Sequence, residues 1–127
     1  MIFPKPSEAE LRILHVLWDQ GPSAVRDVLV RLEKTTGVGY TTILKLLQIM
    51  HEKKLVERDE SSHRHVYSAR ISREEAEERF VGDLVDSVFN GSKKRLVLQI
   101  LDDAKSTQEE LEEIRQAILE FEKGGKP

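Results

Sequence analysis

Cysteine is missing from all 127 residues. Its absence excludes disulfides, thiolate metal sites and cysteine nucleophiles, and it fits a reducing compartment. Long apolar runs are missing too. Nothing approaches the roughly 18 consecutive apolar residues of a membrane span, and the opening MIFPKPSEAE has no signal-peptide core. We therefore expect a soluble, cytoplasmic protein without membrane insertion. Catalytic motifs are equally scarce. There is no Gly-x-Ser-x-Gly elbow, Gly37-Val38-Gly39 lacks the third glycine of a dinucleotide loop, and Gly91-Ser92-Lys93-Lys94 is only a fragment of a phosphate loop. We expect neither an enzyme nor a cofactor.

Hydrophobic residues make up 39% of the chain and charged residues 34%, which suits a mostly helical protein with a modest core. The net charge of −3 hides an asymmetry. Residues 1–70 hold 11 of the 20 Lys and Arg, 9 of the 23 Asp and Glu, and all four histidines. The remainder is acidic, with 9 basic and 14 acidic residues. This points to a binding part followed by an acidic second part. The excess of two positive charges is small, so a nucleic-acid surface must arise from arrangement rather than bulk charge.

The period of the apolar residues divides the chain into elements. After a short arm with Pro4 and Pro6, Ser7 and Glu10 form a capping box. The helix they open carries Leu11, Leu14 and Trp18 on one face and ends at Gly21-Pro22. Ser23 is the expected cap of a second helix from about Ala24 to Lys34. The loop Thr35 to Gly39 leads to Tyr40–Lys54, where Ile43, Leu46, Leu47 and Met50 mark a buried stripe. The pattern then changes. Leu55–Arg58 and His65–Ser68 read as two strands joined by the polar turn Asp59–Arg64. Three helices and a hairpin, in that order, make a winged helix-turn-helix. The fold class expected is mainly α with a small β-hairpin wing. Residues 1–70 form the DNA-binding domain.

The outward face of the third helix carries Thr41, Thr42, Lys45 and Gln48, which suit base edges and phosphates. On a plain reading the same residues are a solvated face. Ser23 is either a phosphate ligand at a helix start or simply a cap. Tyr40 touches phosphate or packs the helix start. His63 and Arg64 lie where a wing meets the backbone of a duplex. His63 and His65 are two apart, but two imidazoles without a third ligand do not make a metal site, and none is expected.

Residues 71–127 read as three more helices. Ser72 with Glu75 caps one that runs towards Phe89 and stops at Asn90-Gly91. Ser92–Leu101 is short, and Ser106 with Glu109 opens the last. The stripes Phe80, Leu84, Val88 and Leu111, Ile114, Ile118, Phe121 have little else to bury against in so small a segment. A second copy of the chain is the economical cover, which makes this the helical dimerisation domain. An intramolecular cap on the first domain is the alternative.

At this point the chain resembles a known family. GVGYTTILKLLQIMHEKKLVER, SEAELRILHVLWDQGPSAVRDVLVRL and HVYS look like the penicillinase and methicillin-resistance repressors, the BlaI and MecI type, to which the copper-responsive CopY regulators also belong. The resemblance covers about residues 7 to 121. It implies a homodimeric repressor on double-stranded, palindromic operator DNA. In antibiotic-responsive members it also implies release by proteolysis downstream of a membrane sensor. By position the scissile bond would be Gln99-Ile100, and Thr41, Thr42 and Lys45 fall at operator-reading positions. Four places depart from the family pattern. Lys54 replaces the usual glycine, Ile49 a frequent Arg, Ser62-His63 a Gly-Arg pair, and Gln99-Ile100 an Asn-Phe pair. The cysteine tail of the copper regulators is absent. Two rival functions remain: an effector-binding winged-helix regulator, and a winged-helix protein-interaction module that never meets DNA.

Overall fold

Ser7 sets where the first helix begins. Its hydroxyl accepts from the Glu10 N–H at 3.2 Å, and the Glu10 carboxylate accepts from the Ser7 N–H at 2.8 Å, the reciprocal box expected. The computed structural model describes residues 3–102 and 107–125. Helix α1 spans Glu8–Gln20 and buries Ile13, Leu14, Val16 and Leu17. It stops at Gly21, whose φ of 81° only glycine adopts without strain. Glu10 itself is buried, and Lys53 Nζ donates to both its oxygens at 3.0 Å.

The expected cap at Ser23 is corrected. Helix α2, Val25–Thr36, has Ala24 at its N-cap, and the Asp27 carboxylate accepts from the Ala24 N–H at 2.9 Å. Alanine has no oxygen to return the bond, so half of a capping box does the work. Ser23 is drawn inward instead. Its N–H donates to the Tyr67 carbonyl at 2.9 Å and its carbonyl accepts from the Tyr67 N–H at 2.8 Å.

Helix α3 spans Tyr40–Glu52, two residues shorter than its apolar period predicts. Ile43, Leu47 and Met50 are fully buried, while Leu46 is only partly covered. Lys54 is left-handed at φ 65°. Its N–H donates to the His51 carbonyl at 3.1 Å, and the Leu55 N–H donates to the Met50 carbonyl at 2.9 Å. This pair of bonds, with Met50 and Leu55 both buried, is the Schellman ending of a helix.

Strands β1, Val56–Asp59, and β2, Val66–Ala69, pair antiparallel with Val56 opposite Ala69 and Asp59 opposite Val66. Each begins one residue later than expected. For β1 the reason is that the Leu55 N–H is engaged in closing α3. Tyr67 is buried and carries the pairing across to Ser23.

Helix α4, Arg73–Ser87, opens with the expected box of Ser72 and Glu75. Ile71 and Ala76 belong to the same core as α1–α3, and the Trp18 indole N–H donates to the Ile71 carbonyl at 2.9 Å. The chain divides into two compact units between Val81 and Gly82, and Phe80 lies in the first. The second unit holds the end of α4, α5 (Lys93–Leu101) and α6 (Gln108–Glu122). Asn90 at φ 50° and Gly91 at φ 83° make the turn after α4, which ends at Ser87 rather than Phe89. Thr107 caps α6 by accepting from the Glu110 N–H at 3.0 Å, whereas the expected cap Ser106 lies outside the described residues. Six helices and one antiparallel hairpin, among the described residues, give the mainly α winged architecture expected.

Candidate nucleic-acid interface

The period that buries one side of α3 determines what the other side offers. Ile43, Leu47 and Met50 have no exposed surface, so Thr41, Thr42, Lys45 and Gln48 face outward, and all four are exposed. Helix α3 thus brings together the four residues expected there. Lys45 has no carboxylate within ion-pairing distance among the described residues, so its charge is available to an incoming anion. Tyr40, at the first position of α3, is 46% exposed and stands outside the apolar core.

Ser23 is the exception. It is buried, its hydroxyl donates to the Gly21 carbonyl at 2.9 Å, and the same oxygen accepts from Gln20 at 3.1 Å. Both hydrogen bonds of that hydroxyl are thus made within the chain. Its neighbour Arg26 is exposed in the first turn of α2, without a carboxylate partner among the described residues. The inward spacing of Val25 and Val28 is the signal in the sequence that turns Arg26 outward.

The turn of the hairpin is held by its own polar groups. The Ser61 N–H donates to Asp59 at 2.9 Å, which holds the Asp59 carboxyl below its usual range. The Ser62 hydroxyl donates to the Arg64 carbonyl at 2.8 Å. The Tyr67 hydroxyl, then Glu60, favour the charged form of Arg58, with Glu60 at 3.2 Å. Arg64 lies 3.8 Å from Asp27 on α2, and His65 lies 3.7 Å from Glu60. Between hairpin, α2 and α3 opens a cleft of about 200 Å³, floored by Val25 and Leu44 and rimmed by Tyr40, His63, Arg64 and His65. No group of three or more metal-ligating side chains occurs among the described residues, and no helix there is long and apolar enough to cross a membrane.

The second unit leaves its apolar stripes uncovered. Val88 is 66% exposed, Phe121 57%, Ile118 49% and Leu84 39%, while Leu111 and Ile114 are half-buried. Phe80, in the first unit, is partly covered, with Lys5 Nζ 5.1 Å from its ring centre. Gln99 and Ile100 are exposed in the last turn of α5.

Comparison with known proteins places this arrangement. The model of the family described as "Penicillinase repressor" matches residues 6–120. The penicillinase repressor of Staphylococcus aureus is 22% identical over 117 residues, covering 92% of this chain and 93% of its own. That of Bacillus licheniformis is 27% identical over 123 residues, covering 97% and 95%. Among solved structures, the DNA-binding domain of the repressor BlaI superposes with a TM-score of 0.52 at 24% identity, covering 58% of this chain and 90% of that domain. With the family model spanning nearly the whole chain and the winged fold matching, the chain belongs to the penicillinase repressor family, a family of DNA-binding transcriptional repressors and not of enzymes.

Proposed function

We propose that two copies of the chain bind a palindromic operator, each laying α3 in a major groove with its hairpin against the adjacent backbone. The observation that carries this reading is the division of α3. One side is sealed in the core, and the other presents Thr41, Thr42, Lys45 and Gln48, with no ion-pair partner for Lys45 among the described residues. On this reading Thr41, Thr42 and Gln48 reach base edges, while Tyr40, Lys45, His63 and Arg64 reach phosphates. Arg26 joins the phosphate contacts, and Ser23 supports the hairpin rather than touching DNA.

Dimerisation through the second unit is supported by what that unit leaves in water. Val85 is the one buried residue among its described positions, and Leu84, Val88, Ile118 and Phe121 stay exposed in the single chain. Burying apolar area of this kind against a twin is favourable by about 25 cal/mol per Å². Release follows cleavage of the Gln99-Ile100 bond by a protease coupled to a membrane sensor, a step that the family relationship supports.

The test is selection of bound duplexes from a random library, followed by sedimentation of the protein alone and with the selected duplex. We expect an inverted repeat, a dimer at micromolar concentration, and two chains per duplex. Failure to enrich any sequence would favour a protein-interaction role. A monomer that binds a single half-site would remove the dimer from the reading.

A further inference from the structure

The cleft between the hairpin, α2 and α3 gathers two histidines beside one arginine. Arg64 faces Asp27 of α2 at 3.8 Å, and Glu60 of the hairpin faces Arg58 at 3.2 Å. Of these four only Arg64 lines the cleft itself. Helix α3 adds only the Tyr40 hydroxyl, and the floor of Val25 and Leu44 is apolar. What remains on the rim is His63 and His65. With both imidazoles neutral Arg64 is the one charged side chain in the lining, and each imidazole that is protonated adds about one positive charge beside it.

We propose that this cleft seats one phosphate diester of the nucleic-acid backbone, and that the protonation of His63 and His65 gates its binding. The inference rests on the DNA-binding reading above and adds a site and a dependence to it. Tyr40 and the imidazoles donate to the phosphate oxygens, and Arg64 turns from Asp27 towards the same anion. Both Arg64 and Asp27 are largely exposed, so the exchange of partners costs little. His65 already has a carboxylate at 3.7 Å in Glu60, whereas His63 has no ion-pair partner among the described residues. His63 therefore has more to gain from a phosphate and carries the larger share of the pH effect.

The sign follows from which form the phosphate stabilises. An anion beside an imidazole favours its charged form, so binding takes up protons and affinity falls as pH rises. Each proton taken up weakens binding by about tenfold per pH unit where the free histidine is neutral. The experiment is fluorescence anisotropy with a duplex selected by the protein, at pH 6, 7 and 8 and constant ionic strength. Wild-type affinity is expected to fall by on the order of tenfold to a hundredfold from pH 6 to 8. His63→Gln should remove most of that dependence and His65→Gln less. The wild-type protein is also titrated with duplexes carrying one neutral methylphosphonate. A single position in each half-site should abolish the pH effect. Inorganic phosphate, at matched ionic strength, should compete no better than chloride, and strong competition would reassign the cleft to free phosphate. A pH-independent wild type overturns the inference but leaves DNA binding standing. A protein that enriches no duplex at any pH overturns both.

Discussion

Lys54 occupies a backbone conformation that glycine fills without penalty. At φ 65° a side chain crowds its own carbonyl, at a cost of about 1 kcal/mol, and glycine's freedom in the unfolded chain returns part of that. Lys54→Gly is therefore expected to raise stability by roughly 0.5–1 kcal/mol. It would appear as a higher urea midpoint at unchanged slope, and an unchanged midpoint would mean that the Schellman turn accommodates lysine without strain. One residue earlier, Lys53 has the opposite standing. Its ammonium is the counter-charge of buried Glu10, and Lys53→Met leaves that carboxylate inside with the Ser7 N–H as its remaining donor among the described residues. Breaking a buried pair costs about 3–5 kcal/mol. With Lys53 about a third exposed, we expect the lower end of that range, and the double variant Glu10→Met/Lys53→Met should recover part of the loss. Asp19 contributes to the acid side of the stability profile. The Arg73 hydrogen bond, against a smaller desolvation effect and aided by the charges of Arg73 and Arg31, holds its carboxyl below the usual range. A depressed folded-state pKa gives stability that is fully present above the unfolded value of about 3.9 and is lost as pH falls through the folded one. Asp19→Asn should flatten the loss of stability below about pH 4, measured by urea unfolding across pH 2 to 6.

Elements were legible where a period reports on burial. The stripe Ile43, Leu47, Met50 identified α3 and, by subtraction, its outward face. Two capping boxes located α1 and α4 because serine and glutamate three apart satisfy each other locally. What the pattern could not carry was the partner of a buried group. Glu10 and Lys53 are 43 positions apart, and periodicity shows which side faces the core, not what meets there. Ser23 looked like a cap because serine favours caps. Its backbone pairing with Tyr67 is a tertiary event with no local signature. The same limit hid the start of α4 within the first core, where Ile71 and Ala76 join residues far back in the chain. Within α3, two substitutions separate the proposed roles. Lys45→Ala should lower the salt slope of operator binding by about one unit for each phosphate left without its cation, with the preferred sequence unchanged. Thr42→Ala should keep the salt slope and flatten preference at one base pair, at about 1–3 kcal/mol, if its hydroxyl reads a base edge. Affinity measured at several salt concentrations on matched and mismatched duplexes distinguishes these outcomes, and α3 is not the reading element if neither changes.

For the whole molecule, the asymmetry of charge anticipated two unlike parts, while their boundary depended on packing that composition does not record. The proposed dimer makes the second part a lock on the first, and α5 is where the lock would open. Its cap, the Ser92 hydroxyl accepting from the Arg95 N–H at 3.1 Å, secures the first turn, and half-buried Leu96 lies one turn on. Gln99 and Ile100 sit in the final turn before Leu101, both exposed. A protease must take its substrate as an extended strand, so this helix has to open locally, and a last turn frays more readily than a middle one. Cutting the bond would detach α6 with Ile118 and Phe121, leaving Leu84 and Val88 without the surface proposed to cover them. Two linked half-site contacts exceed a single one by about 10²–10⁴ in avidity, so losing the link is enough to free an operator. Mass spectrometry of the protein from induced cells is expected to find a fragment ending at Gln99 and another beginning at Ile100. The intact chain should bind the duplex with both half-sites, and the Gln99-terminated fragment should sediment as a monomer and bind at the strength of one half-site. Intact protein in fully derepressed cells would rule out cleavage and turn attention to a small effector.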